Sequence, residues 1–153
     1  MPRGVVAKDA GIVADGSGAG VACVAGMTSD PRHVLGLDGE EAAALELERR
    51  GYEIVARRYR TRLGELDIVA RDGGVLVFVE VKTRSTPAFG DGLEAITADK
   101  RRRLVRMAHE YLWINGLADE ACRFDVVAID VRGLGRQRRL VADVIAGAFE
   151  EGE

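Results

Sequence analysis

Residues 64–82, GELDIVARDGGVLVFVEVK, predict a β-hairpin, and this hairpin constrains the fold more than any other part of the chain. Two runs rich in Val, Ile, Leu and Phe flank a Gly-Gly pair, a composition typical of two strands joined by a tight turn. The turn is formed either by Gly73 and Gly74 or by Asp72 and Gly73. The apolar run at 75–79 then ends in charged residues, which mark either the edge of the interior or a chemical site.

Three charged side chains lie together whichever pair forms the turn. Side chains two residues apart in a strand share a face, so Glu80 and Lys82 point the same way. A Gly73-Gly74 turn places Asp67 opposite Glu80, and the alternative turn leaves Asp67 on that face. Two carboxylates about 5 Å apart repel by roughly 3 kcal/mol at an effective dielectric near 20. Either an ion-pair cluster with Lys82 or a bound divalent cation such as Mg²⁺ offsets this repulsion.

The segments on either side of the hairpin predict a mixed sheet flanked by helices, an α/β (α+β) fold. Asp38 is expected to cap the first helix, with Gly51 at its C-terminal end, and Thr97 to cap the second. In chain order the predicted elements are a helix through GEEAAALELERR, a strand at 52–58, the hairpin, a helix at 98–114, and strands at 123–131 and 139–147.

The chain has 153 residues, and we predict one domain at 36–150. Residues 1–35 are rich in Gly, Ala and Val without a helical or strand period, so we predict a disordered N-terminal tail. Either Met1 or Met27 is the translation start. No apolar run approaches the roughly 18 residues of a membrane helix, and the two cysteines form no CxxC pair, so we expect a cytoplasmic protein with no membrane partner.

A net charge of -3 conceals three basic clusters, at 57–62, 100–106 and 132–139. Each cluster alone fits a solvated surface. Three on one small acidic protein favour a local anion-binding face, because local potential, rather than net charge, attracts a phosphate backbone. The candidate nucleic-acid-binding residues are Arg60, Arg62, Arg84, Lys100, Arg101 and Arg103.

Asp67 followed by Glu80-Val81-Lys82 resembles the PD-(D/E)xK motif of the restriction-endonuclease-like superfamily, with Leu66 at the position of the motif's proline. Together with FGDGLEAITADKRRRLVRMAHEYL and RFDVVAID, the segments from about 36 to 149 resemble the YraN-type bacterial family of predicted endonucleases. The resemblance implies an αβββαβ core.

The resemblance also implies a magnesium- or manganese-dependent nuclease. Asp67, Glu80 and the Val81 carbonyl would bind Mg²⁺ or Mn²⁺, and Lys82 would orient or help deprotonate the attacking water. Products would be a 5′-phosphate and a 3′-hydroxyl.

Two further glutamates are candidates for the same site. Glu40 matches an acidic residue of the family's first helix and would reach the site directly or through water. The alternative role for Glu40 is to interact with the dipole at the helix N-terminus. Glu65 would support the site from the side of Asp67.

The expected partner is DNA, bound mainly through its phosphates and recognised by structure, as in branched, nicked or single-stranded forms. A homodimer is expected from the likeness to junction resolvases, and RNA remains an open substrate. Two other classes compete with the enzyme: a non-catalytic nucleic-acid-binding module of the same fold, and a scaffold that binds only protein.

Overall fold

The structure is a computed structural model that describes residues 13–14, 22–25, 31–84, 96–133 and 139–152. Within the predicted tail, two short segments are strands and a helix begins at Pro31. The other residues of 1–30 lie outside the described residues, so the division into tail and domain stays a prediction.

Two helices and seven strands make up the described fold. In chain order they are β1 (Val13–Ala14), β2 (Ala22–Ala25), α1 (Pro31–Arg49), β3 (Glu53–Thr61), β4 (Gly64–Asp72), β5 (Val75–Arg84), α2 (Ala98–Ile114), β6 (Cys122–Arg132) and β7 (Arg139–Phe149). The order from α1 to β6 is αβββαβ, which confirms the predicted core. Helix α1 begins before the expected cap at Asp38; proline suits a first helical turn because an N–H there has no partner within the helix.

The strands form one mixed sheet in the order β1-β2-β7-β6-β5-β4-β3. Strands β5 and β6 are parallel, whereas the other neighbouring pairs are antiparallel. Helix α2 connects β5 to β6, as a parallel pair requires. In the described part of the chain, neither helix is both long and apolar enough to cross a membrane.

The β4–β5 hairpin turns at Gly73 and Gly74. Asp72 pairs with Val75, which decides between the two predicted turns. Gly73 has a φ of 59°, a left-handed conformation that glycine adopts without steric cost. The register runs unbroken from this turn to Ile68 paired with Val79.

Both faces of the sheet are covered, which explains the continuous apolar run in β5. Alternate side chains of that strand enter two separate cores. The α1-side core includes Leu47, Ile68, Val77, Val79, Val127 and Ile129. The α2-side core includes Leu66, Val69, Phe78, Leu104, Tyr111 and Phe124.

Helix α1 lies close to β5 at Gly39. A Cβ atom added to Gly39 would lie 2.3 Å from the Thr83 Oγ1 atom, far inside van der Waals contact. The absence of a side chain therefore lets the helix backbone rest against the end of β5. This contact places the next residue, Glu40, beside the charged end of the hairpin.

We expect Gly39→Ala to lower the free energy of unfolding by about 1–3 kcal/mol, as overpacked sites do. The loss should appear although alanine favours a helix interior by about 1 kcal/mol over glycine. Urea unfolding measures the change. Adding Thr83→Ala should recover most of the loss, because it removes Oγ1 and leaves the Thr83 Cβ atom at 3.6 Å. Gly74→Ala is the control, since an added Cβ there meets nothing within 4 Å; equal losses at both glycines would contradict the contact.

Candidate metal centre

Strand pairing between β4 and β5 ends immediately before Asp67 and Glu80. The last paired residues are Ile68 and Val79, so the register places Asp67 and Glu80 next. The Val81 backbone N–H instead donates to Asp67 Oδ2 at 2.9 Å. The carboxylate thus takes a hydrogen bond from the β5 backbone where the ladder stops, and this bond fixes its position.

Near Asp67, strand β4 changes the face to which its side chains point. Leu66 and Val69 both pack in the α2-side core, although simple alternation would place residues three apart on opposite faces. On the neighbouring strand, Arg58 has a φ of 51°, which is uncommon for a residue other than glycine. Asp67 lies at this irregularity, so alternation alone does not determine where its carboxylate points.

Glu80 is a buried carboxylate with one oxygen left over. Its Oε1 atom lies 3.2 Å from Lys100 Nζ, at the start of α2. Its Oε2 atom is buried and has no hydrogen-bond partner among the described residues. A buried acceptor without a donor costs about 1–3 kcal/mol. Glu80 Oε2 can therefore accept a further donor or bind a cation.

The other buried carboxylates of the described chain lack this feature. Glu46 accepts hydrogen bonds from Arg49 and Arg50. Asp125 accepts from the Tyr52 hydroxyl, the Arg123 guanidinium and the Gly147 N–H. Both carboxylates are neutralised within the fold, so they stabilise structure and offer little to a ligand.

The Asp67 carboxyl is poorly suited to carrying a negative charge in the metal-free protein. Burial is the largest cause and the negative charge of Glu80 the second, and together they raise the pKa of Asp67 to about 7. The hydrogen bond that a protonated Asp67 carboxyl could share with Glu80 and the negative charge of Glu40 also raise the pKa, whereas the hydrogen bond from the Val81 N–H lowers it. The charged form of Asp67 is therefore disfavoured, because the carboxyl group is buried near a second carboxylate.

Two more carboxylates adjoin Asp67. One oxygen from each of Glu40, Glu65 and Asp67 lies within 4.8 Å of the others. Arg58 Nε donates to Glu40 Oε2 at 2.6 Å and orients that side chain. Helix α1 begins at Pro31, so Glu40 lies well inside the helix and is not the N-terminal dipole partner considered above.

This set of ligands fits a hard divalent cation. Carboxylate oxygens are the ligands that Mg²⁺ and Mn²⁺ prefer, and Glu80 Oε2 is an acceptor in need of a partner. Asp67 belongs to both groups of carboxylates, because it interacts electrostatically with Glu80 and lies close to Glu40 and Glu65. Lys82 is exposed and makes no ion pair or hydrogen bond with the part of the chain that the structure describes.

The predicted nucleic-acid-binding residues divide into two groups. Arg60 and Arg62 have side chains 90% and 93% exposed, and Arg103 is also exposed. The remaining three are engaged within the fold: Arg84 donates to Asp130, Arg101 donates to the Ile96 carbonyl, and Lys100 pairs with Glu80.

Two features of the site were not predicted from the sequence. Arg58 was counted only as part of a basic cluster, and nothing in the sequence links an arginine to a left-handed conformation. Lys100 was assigned to a phosphate, whereas its partner in the structure is Glu80. The second helix and the hairpin were both predicted, but only their packing brings these two side chains together.

We expect Asp67→Asn to stabilise the metal-free protein at pH 8 by about 1–3 kcal/mol, allowing for partial solvent exposure. The pKa of Asp67 is about 7 in the folded state and near 3.8 when unperturbed, so wild-type stability should fall as pH rises through that interval. Asparagine keeps an acceptor for the Val81 N–H but carries no charge. The unfolding free energy of Asp67→Asn should therefore vary less with pH than that of the wild type.

Urea unfolding in EDTA at pH 5 and pH 8 tests this expectation. Asp119→Asn, which changes an exposed aspartate, is the matched control. The same pH dependence in wild type and Asp67→Asn would show that the pKa of Asp67 is not raised in the folded protein.

Comparison with known proteins identifies one family. The sequence model described as "Uncharacterised protein family UPF0102" matches residues 39–129, a range that contains all the carboxylates of the site. A UPF0102 protein of Moorella thermoacetica is 50% identical over 119 residues, which cover 77% of this chain and 97% of its own. A UPF0102 protein of Geobacter sulfurreducens is 47% identical over 125 residues, which cover 82% and 95%. The chain therefore belongs to the UPF0102 family.

Proposed function

We propose that this protein is a metal-dependent endonuclease that hydrolyses phosphodiester bonds, with branched or otherwise structured DNA as its substrate. The observation that carries the proposal is the Glu80 carboxylate, which is buried beside Asp67 with one oxygen lacking a donor. Opposed carboxylates of this kind gain most from a divalent cation. The resemblance to the YraN-type endonucleases and to the PD-(D/E)xK motif supports the same assignment.

Asp67, Glu80 and the Val81 carbonyl would hold the cation. Glu40 and Glu65 lie close to Asp67 and would bind the cation through water. A divalent cation in this position supplies positive charge beside the scissile phosphate and makes water easier to deprotonate. The Val81 N–H would keep Asp67 in place during the reaction. Asp67 accepts this hydrogen bond from the backbone of β5, the strand that also carries Glu80.

Lys82 would act on the attacking water. It follows Glu80 by two residues on the same face of β5, and its ammonium group makes no hydrogen bond or ion pair with a described residue. Water, oriented by Lys82, attacks phosphorus in line and releases a proton to solvent. The bond between phosphorus and the 3′ oxygen breaks, and the leaving oxygen takes up a proton from solvent to become the 3′-hydroxyl. The exposed arginines Arg60, Arg62 and Arg103 would contact neighbouring phosphates. A homodimer would present two such sites to paired strands.

A non-catalytic nucleic-acid-binding module is the second candidate, and one contact favours it. Lys100 Nζ lies 3.2 Å from Glu80 Oε1 and supplies positive charge to the site without any metal. In such a module, the ion pair would be a permanent part of the fold and the remaining arginines would bind phosphates without turnover.

The direct test incubates the purified protein with linear, nicked and branched DNA and with RNA, in Mg²⁺, Mn²⁺ or EDTA. We expect metal-dependent cleavage that falls about 100-fold or more in Asp67→Asn and Glu80→Gln, because metal catalysis contributes several kcal/mol. Asp119→Asn should cleave as wild type does. Salt-sensitive binding without cleavage in any metal would support the module instead.

Lys82→Met separates binding from catalysis. We expect it to bind DNA within a few-fold of wild type and to cleave about 10²- to 10⁴-fold more slowly, the usual loss for a proton-transfer group. Filter binding in EDTA and single-turnover cleavage in Mg²⁺ measure the two quantities. Parallel losses in both would show that Lys82 contacts the substrate rather than the water.

Lys100 and a divalent cation should compete for Glu80. We expect Lys100→Met to bind Mn²⁺ about three- to tenfold more tightly than wild type, because a positive charge next to the cation is removed. Electron paramagnetic resonance of free Mn²⁺ gives the affinity without an activity assay. Arg103→Met, an exposed cation of the same helix, is the control. Weaker Mn²⁺ binding by Lys100→Met would mean that the lysine holds Glu80 in its ligand position.

A further inference from the structure

An exposed basic and aromatic surface surrounds Glu110 on α2. Arg62, from the turn between β3 and β4, donates its backbone N–H to Glu110 Oε1 at 3.2 Å. Arg106 precedes Glu110 by four residues and Trp113 follows it by three, so all three residues lie on neighbouring positions of one helix side. Arg103 lies one turn before Arg106. We call Arg62, Arg103, Arg106 and Trp113 the α2 surface.

The charges of this surface are largely uncompensated. The Arg62 side chain is 93% exposed, and its guanidinium only reaches Glu110 at 4.0 Å. Arg103 and Arg106 are exposed and make no ion pair with any residue that the structure describes. One carboxylate therefore stands among three arginines, and the surface carries a net positive charge suited to a polyanion.

Trp113 is the unusual member of the α2 surface. It is 79% exposed, whereas Tyr111 of the same helix is buried and makes edge-to-face contacts with Tyr59 and Phe78. An exposed indole on a helix side that also carries arginines contributes little to the core. Arginines that bind phosphates and an aromatic ring that stacks on a base are the combination used to bind single strands.

We propose that the α2 surface binds an unpaired DNA strand, with the arginines on its phosphates and Trp113 stacked on one of its bases. The choice of DNA rests on the proposed function. The surface adjoins the metal centre through the β3–β4 hairpin, since Arg60 Nε lies 3.8 Å from Glu65 Oε2 and Arg62 follows two residues later. Along the helix, Trp113 lies about 20 Å from Lys100, the length of about six stacked nucleotides.

An unpaired strand fits better than the two other occupants that an exposed tryptophan admits. The bases of a duplex are already stacked on each other, so an indole could engage them only at the cost of unstacking. A second copy of this chain would bring the same arginines against themselves across a twofold interface, and like charges in contact oppose association.

Trp113 is the only tryptophan in the chain, so its fluorescence reports this surface alone. The test titrates the full chain in EDTA, where no metal-dependent cleavage occurs, with a twelve-residue thymidine oligonucleotide and with a duplex of equal length. We expect the single strand to quench the fluorescence and to bind about tenfold or more tightly than the duplex. Adding polyglutamate tests for an acidic protein partner, and raising the protein concentration tests for self-association.

Substitutions assign the two roles. By anisotropy of a labelled oligonucleotide, Trp113→Ala should bind about tenfold or more weakly, within the range for loss of one stacked base, and Trp113→Phe should recover part of the loss. Ile114→Ala is the matched control, because this neighbour is 61% exposed but lies about 100° further round the helix. Arg106→Gln should lower the slope of log affinity against log salt by about 0.7, and Trp113→Ala should leave that slope unchanged.

The inference is overturned if Trp113→Ala binds the single strand as tightly as Ile114→Ala does. It is also overturned if the duplex, an RNA of equal length, polyglutamate or added protein quenches Trp113 as strongly as the single strand. Because binding is measured without metal, the result is independent of cleavage. Trp113-dependent binding without nuclease activity would refute the proposed function alone, and cleavage without such binding would refute this inference alone.

Discussion

The candidate site depends on the hydrogen bond that the Val81 N–H donates to the Asp67 carboxylate. Strands β4 and β5 are paired up to Ile68 and Val79 and then part, so a backbone donor and a side-chain acceptor meet where the ladder ends. The bond holds a carboxylate against the strand that carries Glu80. In that position burial, followed by the negative charge of Glu80, raises the pKa of Asp67.

The two helices complete the site from opposite faces of the sheet. Helix α1 supplies Glu40, which is brought close because Gly39 lets the backbone rest on Thr83. Helix α2, which packs on the sheet through its buried inner face, supplies Lys100. The two other buried carboxylates among the described residues, Glu46 and Asp125, are both hydrogen-bonded within the fold. Glu80 departs from that rule, and departures of this kind are characteristic of functional sites.

Local patterns predicted a large part of this fold. The Gly-Gly pair and its flanking β-branched residues predicted the hairpin, and the Thr97 cap predicted a second helix that begins at Ala98. Features that depend on distant contacts were missed. The first helix begins at Pro31 instead of after Asp38, and the change of face near Asp67 has no counterpart in the alternation of apolar and polar residues. Such an irregularity is set by packing on both sides of the sheet, which no short window of sequence contains.

The sequence by itself determined the order of elements from α1 to β7, the presence of the hairpin and the chemical types at the end of β5, because turn composition and strand periodicity act over a few residues. It left two turns open, and the structure selects Gly73-Gly74, which puts Asp67 and Glu80 next after the last paired residues. Only the tertiary structure decided which charges surround them: Arg58 on Glu40, Lys100 on Glu80, and one Glu80 oxygen left without a donor. The physical reason is that distance and burial in three dimensions determine electrostatic partners. Side chains from helices on opposite faces of a sheet come together at one site only after the whole domain has packed.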